Sequence, residues 1–304
     1  MSAGKPSIKE KSSCASISNT PEHVPVLLAE VLECFSSSNR DINLIVDGTA
    51  GFGGHLDALR EIQPSTTILG VERDPVTVSG LQERFNGMTN ISIRLGSYTE
   101  IPEFMAEMNF HVADWVLFDL GLSSIQLNTP ERGFSFRFDG PLDMRYDNTT
   151  GITASELLNT ATCTEIADII YEYGEERRSR RIAEYIVRKR PIYTTTELVE
   201  IVKACSRGNP VKTLSRVFQA FRIAVNHELE HLDILLSGLS EWIISGGKVA
   251  FITFHSLEDR KVKQFFRDSE HFAPNSPKWI APNQTEIKLN SRARSAKLRM
   301  GVRI

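Results

Sequence analysis

Short apolar runs alternate with amphipathic stretches over the first 120 residues. Residues 44–46 (LIV), 68–71 (ILGV), 91–95 (ISIRL) and 115–118 (WVLF) have the length and bounding residues of buried strands. Between them, 26–35, 55–61, 75–84 and 101–108 read as helices. This βαβα alternation predicts an α/β fold with a doubly wound, mostly parallel sheet. The pattern changes after Asp119. Residues 121–150 are rich in Gly, Ser, Asp and Pro, as in a long functional loop. From 153 to 222 only helical periodicity remains, at 154–158, 164–173, 178–189, 195–204 and 214–225. Strand character returns at 248–254 (KVAFITF), after the turn Gly246-Gly247. The simplest organisation is one α/β domain interrupted by an all-helical insertion. The expected boundaries are a disordered tail over 1–22, a first part of the α/β domain over 23–133, a loop and helical insertion over 134–226, and a second part over 227–304.

Composition narrows the class. A chain of 304 residues can bury a large core, and 41% hydrophobic with 24% charged residues describes a soluble globular protein. No apolar run approaches the roughly 18 residues that span a bilayer. The first 20 residues lack the apolar stretch of a secretory signal. Cys14, Cys34, Cys163 and Cys205 are scattered without a C-x-x-C pair, which suits the cytoplasm and argues against a zinc site.

The net charge of −3 conceals two basic segments. Residues 177–190 hold seven basic side chains and one acid, and 288–304 hold six basic residues and no acid. Either can be a solvated surface or a phosphate contact. On a helix through 177–190, Arg177, Arg181 and Arg188 share one stripe, with Ile182 and Ile186 roughly opposite. Salt bridges to Glu175, Glu176 or Glu184 are the competing use of these arginines. Arg292, Arg294 and Lys297, with Arg299, alternate with small residues like a C-terminal edge strand.

The candidate chemistry begins at residues 44–55, LIVDGTAGFGGH. Glycines in a strand-to-helix turn let backbone approach a ligand, and the next helix starts with free N–H groups. Glu72, at the tip of the second strand, is placed to bind the two hydroxyls of an adenosine ribose. The order D-G-T-A-G-F-G-G is not G-x-G-x-x-G, so S-adenosylmethionine is favoured over a nicotinamide; glycines serving turn geometry alone remain an alternative. Asp119-Leu120-Gly121-Leu122 follows the fourth strand, where amino-group methyltransferases place an acid or amide. The exocyclic amine of a base is a poor nucleophile, and a carboxylate accepting its N–H orients the lone pair. His227-Glu228-Leu229-Glu230-His231 fits H-E-x-x-H, the zinc-protease pattern. With Leu229, Leu232, Leu236 and Leu239 as the apolar stripe, both histidines are expected on the solvent face, roughly 160° away, and no metal is expected.

The run DLGLSSIQLNTPERGFSFRFDGPLDMRYD (119–147) closely resembles the signature of the bacterial RsmH family, also called MraW. So do HVPVLLAEVL, DGTAGFGGH, YGEERRSRRIA, FITFHSLEDRKVK and SRARSAKLR, in order from about His23 to the C-terminus. The resemblance implies a class I, Rossmann-like methyltransferase domain with a helical insertion. It implies S-adenosylmethionine-dependent N4-methylation of a cytidine in the decoding region of 16S rRNA, within the small ribosomal subunit or its assembly precursor. It also implies cofactor contacts at Gly53, Gly54, His55, Glu72, Tyr98, Asp119 and Gln126, with Asp119 as the catalytic carboxylate. Glu72 stands where many relatives have Asp, and Tyr98 where Phe is usual. The flipped cytosine needs an aromatic platform. Leu122 is not one, so Phe134 and Phe136 are the nearest substitutes in sequence, with burial in the loop's own core as the competing reading. His255 and Ser256 are expected near the same pocket, or as a helix cap. A non-catalytic RNA-binding factor and a DNA N-methyltransferase remain open as alternatives.

Overall fold

The computed structural model describes residues 25–36, 41–275 and 278–304. The tail expected over 1–22 lies outside the described residues. After α1 (Leu28–Ser36), strand and helix alternate: β1 (Leu44–Asp47), α2 (Gly54–Ile62), β2 (Thr67–Glu72), α3 (Pro75–Arg84), β3 (Ile91–Leu95), α4 (Ile101–Glu107) and β4 (Ala113–Asp119). A short α5 (Ser124–Asn128) opens the loop region. The all-helical segment then runs through α6 (Ala154–Thr160), α7 (Cys163–Glu172), α8 (Ser179–Lys189), α9 (Thr195–Cys205) and α10 (Pro210–Asn226). The chain returns through α11 (Glu228–Trp242), β5 (Ile243–Thr253), α12 (Ser256–Asp268), β6 (Phe272–Pro274), α13 (Gln284–Leu289) and β7 (Lys297–Arg303).

The seven strands form one sheet in the order β3-β2-β1-β4-β5-β7-β6. The first five are parallel, and β7 pairs antiparallel with both β5 and β6. This is the doubly wound class I methyltransferase architecture. Apolar runs at β1 and β4 are buried throughout because helices cover both sheet faces. One core cluster joins α1 and α2 to one face, including Phe35 stacked on Trp115 at 5.2 Å. A second joins α4, α11 and α12 to the other face, with Phe118 stacked on Phe251 at 5.0 Å. A third runs from Phe134 to Phe221 and belongs to the loop and helical segment. Helices α6, α7 and α9 each begin with a capping box, at Thr153/Glu156, Thr162/Glu165 and Thr194/Glu197, which satisfies backbone donors that a helix start leaves open.

Three expectations change. Strand β5 starts five residues before Lys248, and Gly246 (φ +74°) takes up an irregularity in its pairing with β4 instead of ending a turn. The C-terminal basic stretch is not an edge strand: residues 291–295 form a 3₁₀ turn, and β7 lies inside the sheet. Helix α8 begins at Ser179, so Arg177 precedes the helix whose stripe it was expected to join. No helix among the described residues is long and apolar enough to cross a membrane.

Candidate active site

The carboxyl ends of β1, β2 and β4 converge on a ring of acids. The glycine turn is built against it: Ala50 N–H bonds Val71 O at 2.9 Å and Gly51 N–H bonds Glu72 Oε2 at 3.0 Å. Gly53 holds φ +78°, and a Cβ there would lie 2.9 Å from Leu81. A Cβ on Gly54 would lie 2.5 Å from Pro25. The two glycines thus let α2 start close against its neighbours.

Glu72 Oε1 accepts N–H bonds from Arg73 at 2.8 Å and Asp74 at 3.0 Å. Burial nevertheless raises its carboxyl above the ordinary range, against the pull of these three N–H groups. Asp47 is pushed up to about 7, chiefly by burial, with the Glu72 charge adding. Asp119 is pushed up to about 8 by burial, then by the charges of Asp47 and Glu258. The Asp119 N–H bonds Thr49 Oγ1 at 2.6 Å, which fixes the backbone. Its side chain is 26% exposed, yet Oδ1 is buried and has no hydrogen-bond partner among the described residues.

His55 is 6% exposed, with Nε2 3.1 Å from Val26 O and Nδ1 3.8 Å from Asp119 Oδ2. Burial lowers its pKa to about 4, so the ring is neutral at pH 7 and makes no ion pair with Asp119. It walls the acid instead.

Two residues expected at the cofactor are engaged within the protein. The Tyr98 ring packs edge-on to Phe118 at 5.8 Å and to His231 at 6.4 Å, and its hydroxyl bonds Glu228 O at 3.3 Å. Gln126 is buried: Oε1 accepts from Ser123 N–H at 3.0 Å, and Nε2 donates to Asp74 Oδ2 at 3.3 Å. Phe134 and Phe136 are not an open platform. Phe134 stacks on Tyr146 at 5.6 Å inside the insertion core, and Phe136 packs edge-on to Phe218 at 5.5 Å. The hydrophobic effect favours burying an apolar ring beside a ready core, and Phe134 takes that alternative while Phe136 is only partly covered.

The H-E-x-x-H histidines also differ from expectation. His227 is exposed but sits in a left-handed turn between α10 and α11, outside the helix. His231 is half-buried, and its Nδ1 accepts from Arg73 Nη1 at 3.2 Å. The segment's buried acid is Glu228, which sequence reasoning missed. Arg222 binds it bidentately at 2.7 and 2.8 Å, and Tyr146 donates to it at 3.2 Å. Asn226, one turn after Arg222, accepts from Tyr146 N–H at 2.8 Å and donates to Met144 O at 2.7 Å. A cation and an amide at i, i+4 inside the apolar run of α10 were the available signal.

The two basic segments diverge. Arg177, Arg181 and Arg188 are exposed, and none makes an ion pair among the described residues. Glu175 pairs instead with Arg260, and Glu176 with Arg216. Arg181 and Arg188 lie over the Tyr185 ring at 5.6 and 5.2 Å. At the C-terminus, Lys297 and Arg299 both bind Asp259, at 2.8 and 2.7 Å. Arg292 donates to Asn128 at 3.3 Å, and Arg294 is exposed.

The sequence profile of the MraW methylase family matches residues 20–304. The chain is 40% identical over 291 residues to the ribosomal RNA small subunit methyltransferase H of Coprothermobacter proteolyticus, covering 93% of this chain and 97% of the relative. It is 43% identical over 286 residues to the protein of the same name in Cyanothece sp., covering 93% and 95%. Among solved structures, a putative rRNA-methylase from Clostridium thermocellum aligns with a TM-score of 0.47 at 10% identity, covering 93% of this chain and 100% of that one. By the match over residues 20–304 and by identity of 40% or more along nearly the whole of both relatives, the chain belongs to the MraW methylase family.

Proposed function

We propose that this protein is an S-adenosylmethionine-dependent methyltransferase acting on N4 of a cytidine in the decoding region of 16S rRNA, within the small subunit or its precursor. The observation that carries the reading is the Asp119 carboxylate. It lies at the carboxyl end of β4, where ligands of such sheets sit, with Oδ1 buried and unpartnered. When bound, the cofactor supplies an electrophilic methyl group on a cationic sulfur. The residues fit such a cation: Asp47, Glu72 and Asp119 are crowded and desolvated, and a neighbouring positive charge favours their ionised forms. Glu72, held by three backbone N–H groups, presents its remaining lone pairs to the ribose hydroxyls. Gly53, Gly54 and His55 shape the turn against the rest of the cofactor. Asp119 Oδ1 accepts an N–H of the substrate amine and turns its lone pair outward. The same carboxylate takes the proton that the amine loses as its nitrogen is alkylated. Arg177, Arg181 and Arg188 hold RNA phosphates outside this centre.

The test is methylcytidine mapping in 16S rRNA from cells with and without the protein, joined to single-turnover kinetics of Asp119→Ala. The variant stays folded, its affinity for radiolabelled cofactor is measured separately, and at saturating cofactor its rate falls about 100- to 10,000-fold. Near-normal turnover at saturating cofactor ends the amine-orienting role. Cofactor binding without any methyl transfer by the wild type leaves an RNA-binding assembly factor.

A further inference from the structure

The loop that buries Phe134 and partly covers Phe136 leaves its next two side chains in solvent. Arg137 is exposed, and Phe138 is 43% exposed. The backbone beneath them is firmly held. Thr195 Oγ1 donates to Phe138 O at 2.7 Å and accepts from Gly140 N–H at 3.1 Å, and Thr195 N–H bonds Gly140 O at 3.0 Å. Gly140 lies against Pro130, where a Cβ would run into the carbonyl oxygen. The loop therefore stands beside the end of α5. Arg292 reaches the same place from the C-terminal turn and donates to Asn128 Oδ1 at 3.3 Å.

Two cations from distant segments are thus gathered on one rim. Burial lowers the pKa of Arg292, and the charge of Arg137 lowers it further. The loop supplies no acid to offset them. Arg137 makes no ion pair or side-chain hydrogen bond among the described residues, and the flanking acids Glu131 and Asp139 pair with neither arginine. Asp143 is already bound to Arg145 at 2.8 Å. Like charges held together without a carboxylate repel one another and attract an anion. Guanidinium groups match the oxygens of a phosphate. A small anion has no use for the exposed ring next to them, whereas a single nucleic-acid strand offers both a phosphate and a base face.

We infer that Arg137 and Arg292 together hold one backbone phosphate of the RNA strand that carries the target nucleotide, and that Phe138 stacks an unpaired base beside it. The inference rests on the RNA reading above. Helix α5 starts just after the turn Asp119–Leu122, so this clamp stands on the segment that leaves the active-site strand. It is a contact separate from the arginines of α8.

The probe is the small subunit from cells lacking the protein, bound by wild type and variants over a range of salt. Arg137→Ala should weaken binding about 5- to 10-fold at moderate salt and flatten the log–log slope by a little under one unit. Arg137→Lys keeps the charge and should keep most of the slope. Adding Arg292→Ala to Arg137→Ala should flatten the slope no further, because both side chains hold the same phosphate. Phe138→Ala should weaken binding about 10-fold with the slope unchanged, since stacking releases no counterion. The urea midpoint of Arg137→Ala should hold or rise as the repulsion is relieved; an arginine with an architectural role would lower it. Unchanged affinity and slope in Arg137→Ala overturn the clamp. So does a further loss of nearly one unit on adding Arg292→Ala, which puts the two arginines on separate phosphates. Unchanged affinity in Phe138→Ala overturns the stacked base. If the Arg292→Ala variant does not fold, the Arg137 and Phe138 variants still decide. A wild type that does not bind the subunit instead ends the RNA reading itself, and the clamp with it.

Discussion

Arg177, Arg181 and Arg188 stand in solvent with no ion pair among the described residues, whereas Lys297 and Arg299 share the single carboxylate of Asp259. The two segments look alike as strings of basic residues. Their settings explain the difference. Strand β7 lies between β5 and β6, so Arg299 is 7% exposed beneath α12, and a buried guanidinium needs a partner. Helix α8 buries only Ser179, Ile182, Ala183 and Ile186, and Arg181 and Arg188 on its exposed face lie over Tyr185 without an ion pair among the described residues. Charge left unpaired on a folded surface is available to a polyanion; charge already neutralised is mostly architecture. The expected C-terminal phosphate patch therefore shrinks to Arg294, with Arg292 at its margin.

Breaking this contrast at its strongest point gives the largest effect. Asp259→Ala leaves Arg299 buried without its carboxylate and should cost about 2–3 kcal/mol by urea unfolding, less than a fully enclosed pair because Asp259 keeps some water contact. Unchanged stability would return the C-terminal cations to the surface. The Arg177→Ala/Arg181→Ala pair should leave unfolding untouched. It should weaken small-subunit binding about 10-fold at moderate salt and flatten the log–log salt slope by a little under two units. An unaltered slope removes those arginines from RNA docking. Lys297→Ala, half outside the pair, should change stability by only about 0.2–1 kcal/mol and the salt slope not at all.

Acidity sharpens the same contrast. Asp259, despite the cost of burial, is held below the ordinary carboxylate range by Arg299 and Lys297. Its contribution is present above the unfolded value of about 3.9 and is lost as pH falls through the folded value. Asp47 and Asp119 have the opposite sign, at about 7 and about 8. The folded protein keeps protons there that the unfolded chain releases, so cofactor-free stability should decline as pH rises from about 4 to 8. Asp119→Asn should reduce that decline. A urea midpoint that rises over this interval in wild type would contradict the crowded acid ring.

Much of the candidate site was legible because its parts are local. The glycine turn, Glu72 and Asp119 each follow an apolar strand, and strand ends in a parallel sheet gather on one edge whatever the loops do. The partners of Glu228 were not legible. Tyr146, Arg222 and Asn226 come from the loop region and α10, and only packing of the insertion against the sheet brings them to α11. The fates of Phe134 and His231 were hidden for the same reason: helical or loop spacing gives a side chain's direction, not what meets it there.

The sequence by itself determined the alternation of strand and helix, the family, the helical interruption and the acids at the ends of β1, β2 and β4. These follow from hydrophobic periodicity and turn chemistry, which act over a few residues. Tertiary structure alone decided which cations are free, which aromatic rings are core, and which polar atoms are left without partners. Those properties depend on desolvation and on contacts between residues far apart in the chain, such as Arg299 with Asp259 and Tyr146 with Glu228.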